Sequence, residues 1–330
     1  MMNDSAFSAP ATSSTAPRRW GLTVGPVQYL WPRERLLAFY AQLADSPADC
    51  IVLGEVVCAR RRELRLDDWL ALGRELAQAG KQVVHATQTL VETEADLRQI
   101  ERLGAETDPW VEAGDASALA LLQGRVPLVL GPHINIYSHR ALQEHADLGV
   151  VRWVPPLELS LQAVACIQPP ERPVVGWSGR PIETEVWAFG RMPLSFSARC
   201  FTARHHGVPK DRCGFPCLDD PDGRLVRSGE GEDFLVLNGT QTQSAGVHCL
   251  LGQAKALAAA GVQRLRLSPS SNGFAQVLAD FDAVFNGGAS PQGRSAAWAG
   301  LGVPGPLVSG YAFDRPGMAA TATSPLEMPA

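Results

Sequence analysis

Cys50-Ile-Val-Leu53 and Gln82-Val-Val-His85 are two short apolar runs, and between them lies Asp67-Asp-Trp-Leu-Ala-Leu-Gly-Arg-Glu-Leu-Ala-Gln-Ala79, closed by Gly80. Apolar residues in the middle stretch recur at i, i+3 and i+4, the period of a helix with one buried face. Asp67 is placed to cap its start and Gly80 to stop it. Strand, helix and strand at this spacing form a crossover unit, which makes the two strands parallel.

The same alternation extends in both directions. Further strand candidates are Gly21–Val24, Trp110–Glu112, Leu128–Leu130, Val150–Val154, Glu185–Phe189, Phe234–Asn238 and Val262–Leu267. Helical patterns cover Arg33–Ala44, Glu94–Leu103, Ser138–Leu148, Leu159–Cys166, Gly246–Ala260 and Gly273–Phe285. About eight such units predict an α/β fold, a (β/α)8 TIM-like barrel, with a doubly wound sheet as the alternative. The regularity breaks at Val174–Gly231, which holds two β-like runs, Val174–Trp177 and Thr184–Phe189, and then a Cys/Arg/Pro-rich loop. That stretch reads as a cysteine-containing insertion near the seventh strand. The expected organisation is a tail over 1–18, one barrel over 19–313 with the insertion at 174–231, and a second tail over 314–330. Both tails are expected to be disordered. The role of the Gly/Pro-rich segment 286–309 is open.

Of 330 residues 45% are hydrophobic, enough for a full core, and the formal net charge is −5. A mildly acidic chain has no global attraction for nucleic acid or anionic lipid. No run of about 18 apolar residues suggests a membrane span, and the start lacks the apolar stretch of a signal peptide. A cytoplasmic location is expected. The 7 cysteines are odd in number in a chain of ordinary size, which argues against a disulfide framework.

Three of them fall in one loop, Cys200-x12-Cys213-x3-Cys217, where Gly207, Pro209, Gly214 and Pro216 supply turns. Cys58, just beyond the strand Cys50–Leu53, is the best fourth member, because loops after different strands meet at the C-terminal face of a barrel. Four thiolates from unequal loops suit an iron–sulfur cluster. Zinc is the alternative, although no paired C-x2-C knuckle is present, and unligated thiols are the plain reading. Arg60, Arg61, Arg62, Arg199, Arg204, Lys210 and Arg212 flank the set and would offset the charge of an anionic cluster. Cys50, Cys166 and Cys249 sit in apolar patterns and read as packing residues.

Glu55 follows the same strand as Cys58 and reads either as a substrate-binding or basic group or as a salt-bridge partner of Arg60–Arg62. His133, Asn135 and Tyr137 follow Leu128–Leu130 and are candidates for a pocket at the barrel mouth, with Ser138 a natural helix cap. His205 and His206 read as a solvated turn, with metal ligation the alternative that four available cysteines make unnecessary. Gln241, Thr242, Gln243 and Ser244 follow a strand end and read as pocket or cap residues. There is no G-x-S-x-G elbow, H-E-x-x-H or Walker A loop.

Five stretches together resemble the collagenase-like peptidase family: Leu53-Gly-Glu-Val-Val-Cys58-Ala-Arg-Arg, Leu130-Gly-Pro-His-Ile-Asn-Ile-Tyr137, Ser197-Ala-Arg-Cys200-Phe-Thr-Ala-Arg204, Pro209-Lys-Asp-Arg-Cys213 and Leu237-Asn-Gly-Thr-Gln-Thr-Gln-Ser244. The likeness runs from about Trp20 to about Met318. Within the family it is closest to a branch that serves ubiquinone biosynthesis without oxygen. It implies a [4Fe–4S] cluster on Cys58, Cys200, Cys213 and Cys217, and a heterodimer with the related, cluster-bearing UbiU. It also implies a sterol-carrier-type protein that presents the polyprenylated aromatic precursor, and an oxygen-independent hydroxylase of which this chain is a subunit. Three other roles remain: a peptidase, an RNA-base hydroxylation protein, or a non-catalytic cluster-bearing scaffold. The acidic balance counts against nucleic acid.

Overall fold

A computed structural model of the protein describes residues 19–106, 110–176 and 179–320. Strands and helices alternate as β1 (Gly21–Val24), α1 (Arg33–Ala44), β2 (Cys50–Leu53), α2 (Leu66–Gln78), β3 (Gln82–Ala86), α3 (Glu94–Ala105), β4 (Trp110–Ala113) and α4 (Ala116–Leu122). They continue as β5 (Leu128–Leu130), α5 (His139–Ala146), β6 (Val150–Trp153), α6 (Leu161–Ile167) and the long β7 (Glu183–Phe196). After a short helix α7 (Phe201–His205) come β8 (Arg224–Arg227), β9 (Asp233–Asn238), β10 (Gln241–Cys249), α8 (Ala254–Ala259), β11 (Arg264–Leu267), α9 (Phe274–Phe285) and β12 (Leu307–Val308).

The strands β1 to β7 and β11 are parallel neighbours, and β11 pairs with both β7 and β1. The sheet therefore closes, and the fold is the expected eight-stranded TIM-like barrel with helices outside. Strands β8, β9 and β10 form an antiparallel extension on the far half of β7. No described helix is long and apolar enough to cross a membrane.

Local chemistry sets the helix starts. Thr93 Oγ1 accepts from Asp96 N (3.3 Å) while Asp96 Oδ2 accepts from Thr93 N (2.9 Å), a reciprocal cap on α3. Ser138 caps α5 as expected, accepting from Ala141 N (3.1 Å). The cap expected at Asp67 is shifted: α2 begins at Leu66, and Asp68 Oδ2 accepts from Arg65 N (2.8 Å). Gly80, at φ +85°, ends that helix as expected.

Several expectations are corrected by long-range pairing. Gly246–Cys249, expected at the start of a helix, is strand, because Val247, His248 and Cys249 pair with Arg191, Gly190 and Phe189. Gln241–Ser244 is strand too, paired with Leu235–Asn238. The run Thr184–Phe189 is the seventh barrel strand itself, while Val174–Trp177 contributes only an isolated bridge of Val175 to Pro181, with Trp177 outside the described residues. No loop follows Phe189, since β7 continues to Phe196. Cys50 and Cys249 are buried, but Cys166 is exposed. On α6 the inward positions are Leu161, Val164 and Ile167, and Cys166 falls off that face.

Residues 286–309 fold over the barrel. Trp298 is buried against Phe189 and Phe281, its Nε1 donating to Asp280 Oδ2 (2.8 Å), and β12 pairs with β10. Past residue 313 the chain keeps pairing through Ala320, with Ser309 N donating to Ala319 O (3.1 Å). The first expected tail, 1–18, and the remainder of the second, 321–330 of the expected 314–330, lie outside the described residues.

Inside the barrel small apolar residues (Cys50, Val52, Val84, Val129, Val154) share the space with a charged network. Arg266 Nε donates to Glu185 Oε1 (2.6 Å) and its Nη1 to Glu112 Oε1 (2.9 Å). Arg152 Nη1 lies 3.3 Å from Glu185 Oε2, and Thr23 Oγ1 donates to the same oxygen (2.8 Å). Buried charges persist only when paired and hydrogen-bonded in this way.

Candidate metal centre and its surroundings

The loop after β2 carries Cys58. It leaves the C-terminal end of a barrel strand through Gly54, whose φ of +138° and close approach to Ala86 O leave no room for a Cβ. Glu55 then bends the loop back: its Oε1 accepts from Val57 N (2.9 Å) and Cys58 N (3.0 Å). Arg61 Nη1 stands 3.8 Å from the same carboxylate, so the expected pairing with the arginine run involves Arg61. Burial raises the Glu55 carboxyl above its ordinary range, with Arg61 opposing.

Cys200 stands at the N-terminus of α7, its sulfur accepting from Ala203 N (3.4 Å). Cys213 and Cys217 flank a tight turn in which both Gly214 and Phe215 are left-handed (φ +63° and +58°). A non-glycine residue rarely holds that conformation, and here it brings the two thiols onto one side.

The β9–β10 hairpin joins these segments. Its tip, Gly239–Thr240, accepts from Phe201 N at Gly239 O (2.8 Å), and Thr240 Oγ1 donates to Val57 O. Gly239 N in turn donates to Thr202 Oγ1 (2.9 Å). Arg61, almost wholly buried, locks the arrangement: Nη1 donates to Gln28 O and Nη2 to Asn238 Oδ1, both at 2.8 Å. Arg60 Nη2 reaches Asp211 O (2.6 Å), and Lys210 Nζ bonds Glu92 Oε2 (2.6 Å) and Ala198 O (2.9 Å).

Cys58, Cys200, Cys213 and Cys217 consequently line one cavity, with Arg60, Arg61, Lys210, Phe215 and Gly239 among its other walls. The open space left between them is small, about 10 Å³. None of the four thiols is in a disulfide. Burial pushes the Cys58 and Cys217 thiols up, while the Arg61 guanidinium beside Cys217 pulls it down. Arg60 Nε and Arg61 Nε are buried without a hydrogen-bond partner. Four thiols, N–H donors to sulfur and unsatisfied guanidinium nitrogens make a donor set suited to a thiolate-ligated anionic group. Among the described residues no three His, Cys, Asp or Glu side chains could hold a metal ion.

The other sequence candidates scatter. Asn135 and Tyr137 are exposed, and the Tyr137 hydroxyl bonds Glu158. Neither lines the cysteine cavity nor the cavity beside Glu55. His133 packs edge-on to Phe196 (4.7 Å), and burial together with Arg266 holds it neutral with a pKa of about 4. His205 and His206 are exposed at the end of α7. Gln241 and Gln243 are buried and linked to each other and to Gln28. Arg61 is one of the flanking cations expected from the sequence, whereas the bracing roles of Asn238, Gly239 and Thr240 come only from the fold. The Asn238-Gly239 dipeptide between two β-like runs is the signal that reveals their hairpin.

The profile of peptidase family U32 matches residues 36–284. Among solved structures, the U32 peptidase Mk0906 is 12% identical, with a TM-score of 0.41 over 81% of this chain and 98% of that one. The dihydropteroate synthase of Burkholderia cenocepacia is 15% identical (TM-score 0.39, 84% of this chain and 92% of that one). The phospho-2-dehydro-3-deoxyheptonate aldolase of Thermotoga maritima is 12% identical (TM-score 0.38, 76% and 60%). With the family profile spanning most of the barrel and the whole cysteine-bearing region, the chain belongs to peptidase family U32.

Proposed function

We propose that this chain is the UbiV-type iron–sulfur subunit of an oxygen-independent hydroxylase that acts on the aromatic ring of ubiquinone precursors, paired with UbiU. The observation that carries the reading is that Cys58, Cys200, Cys213 and Cys217, far apart in sequence, face one cavity. These four would hold a [4Fe–4S] cluster, which supplies one-electron redox chemistry when bound. Arg61 would stabilise its negative charge from within the wall, at close range and out of water. The hairpin tip at Gly239–Thr240 keeps the Cys58 and Cys200 segments in register, and the Gly214–Phe215 turn does the same for the last two thiols. A polyprenylated precursor would be delivered by a sterol-carrier-type protein.

The test is anaerobic co-purification of the chain with UbiU, followed by iron and sulfide analysis. Close to four irons and four sulfides for this chain, with anaerobic ubiquinone lost on gene deletion and aerobic ubiquinone retained, is expected. Zinc in place of iron, or unchanged anaerobic ubiquinone, overturns the reading.

A further inference from the structure

The seam between α2 and α3 is open where it meets the barrel mouth. At the surface Arg102–Asp67 and Arg74–Glu106 (3.6 Å) strap the two helices together. Beneath the strap lies a cavity of about 570 Å³. Leu53, Leu64 and Trp69, on one wall, belong to the larger apolar cluster of the core. Val91, Ile100 and Leu103, on the other, belong to the second cluster. The two clusters fail to meet here, and the space between them falls in the range of small-molecule sites, about 300–1,000 Å³.

The inner end is polar. Gln88 lines the cavity, and its Oε1 is buried without a hydrogen-bond partner. A buried acceptor left unpaired is costly, and it is a place for a ligand's donor. His85 lines the same end, only 8% exposed. Burial and the nearby Arg74 hold its pKa at about 4, so it is neutral at physiological pH. The charged side chains in the wall are already engaged or peripheral. Arg61 is bound to Gln28 and Asn238, Glu55 accepts from Val57 N and Cys58 N with Arg61 beside it, and Asp96 accepts from Thr93 and Glu92, while Arg62 and Arg65 lie exposed at the outer rim. A charged ligand at the inner end would be desolvated without a free counter-charge.

We propose that this cavity binds an uncharged, mostly apolar molecule bearing one hydroxyl donor, the hydroxyl bonding Gln88 Oε1 and the apolar body lying along Trp69, Ile100 and Leu103. Arg61 lines both this cavity and the cysteine cavity, so the two share the loop that carries Cys58. Resting on the function proposed above, the occupant is the phenolic substrate, held one loop away from the thiols.

The experiment uses 2-geranylphenol and its methyl ether as probes, with calorimetric binding to the anaerobically purified complex. The phenol should bind more tightly than the ether by about 3- to 10-fold, the worth of one hydrogen bond. Gln88→Leu should abolish that preference. Ile100→Trp, which fills the cavity, should weaken both probes at least 10-fold while leaving the iron content unchanged. If Ile100→Trp does not fold, the selectivity of Gln88→Leu decides alone. Absence of saturable binding in the natural protein, or a phenol preference that survives Gln88→Leu, overturns the site. Intact phenol binding in a protein without iron supports the site and sinks only the cluster reading.

Discussion

Thr240 donates its hydroxyl to the carbonyl oxygen of Val57, so a hairpin tip holds the residue that precedes Cys58. The adjacent Gly239 holds Phe201, the residue that follows Cys200. Two thiols more than a hundred residues apart are thereby positioned by one two-residue turn. Thr240→Val keeps the shape and removes the donor, leaving a buried carbonyl unpaired. That should cost about 1–3 kcal/mol, read as a lower midpoint in denaturant at an unchanged slope. An unaltered midpoint would show that the hairpin does not brace the loop.

Gly239 has φ +63°, and a Cβ there would stand 2.8 Å from Arg61 Nη2. Gly239→Ala should therefore both strain the turn and displace the guanidinium from Asn238. Expected is a loss of about 1–3 kcal/mol in stability, together with iron that is released faster to a chelator. Iron retention equal to that of the natural protein would separate Arg61 from the cysteine cavity.

Changing any one of Cys58, Cys200, Cys213 or Cys217 to Ala should lower iron and sulfide after anaerobic purification, since a cluster short of a thiolate is labile. Cys166→Ala, on the exposed side of α6, should leave both unchanged. Full iron in Cys200→Ala would remove that residue from the ligand set.

Much of this was legible in the chain itself. The β2–α2–β3 unit is set by local periodicity, and the barrel follows from its repetition. Three thiols within one loop were visible at once, and Cys58 followed from the rule that loops after barrel strands share a face. What escaped was decided by partners distant in sequence. Gly246-Val-His-Cys249-Leu-Leu is an apolar run that fits helix or strand equally well, and pairing of Val247–Cys249 with β7 and of Val247 and His248 with β12 makes that part strand. The barrel's interior charges were hidden for a related reason. Glu112, Arg152, Glu185 and Arg266 lie on four different strands, and each finds its partners on other strands. Asn135 and Tyr137 stood in the right loop for a pocket, yet side-chain direction, which no periodicity gives in a loop, left them in solvent.

The segment 286–309 has a structural role that its Gly/Pro-rich composition conceals. Trp298 is 1% exposed, stacks on Phe281 and bonds Asp280, to which Arg294 also donates (2.7 Å). Trp298→Ala should cost about 3–5 kcal/mol through the cavity it leaves, and Asp280 would lose one of its partners. A change below about 1 kcal/mol in denaturant unfolding would mean that the segment is dispensable for the barrel.

Acid should unfold the protein in two stages with separate causes. Burial holds His85, His133 and His248 at about 4, below the ordinary value of 6.5. Their protonation favours the unfolded chain, so stability is complete above pH 6.5 and falls as pH drops from 6.5 towards 4. Each such histidine accounts for on the order of 3 kcal/mol when fully protonated. Glu185 acts lower. Burial alone would raise its carboxyl, but Arg266, Arg152 and Arg264 outweigh that and hold it at about 2, against an ordinary 4.5. Its contribution is present above pH 4.5 and is lost as pH falls towards 2. Glu185→Gln leaves the three guanidinium groups without their shared carboxylate and should cost about 3–5 kcal/mol at pH 7. The variant should keep the fall between pH 6.5 and 4 and lose the extra fall below 4.5. Denaturant unfolding of both proteins at a series of pH values tests this. If the variant and the natural protein lose stability in parallel below pH 4.5, the barrel's ionic network does not contribute to acid sensitivity.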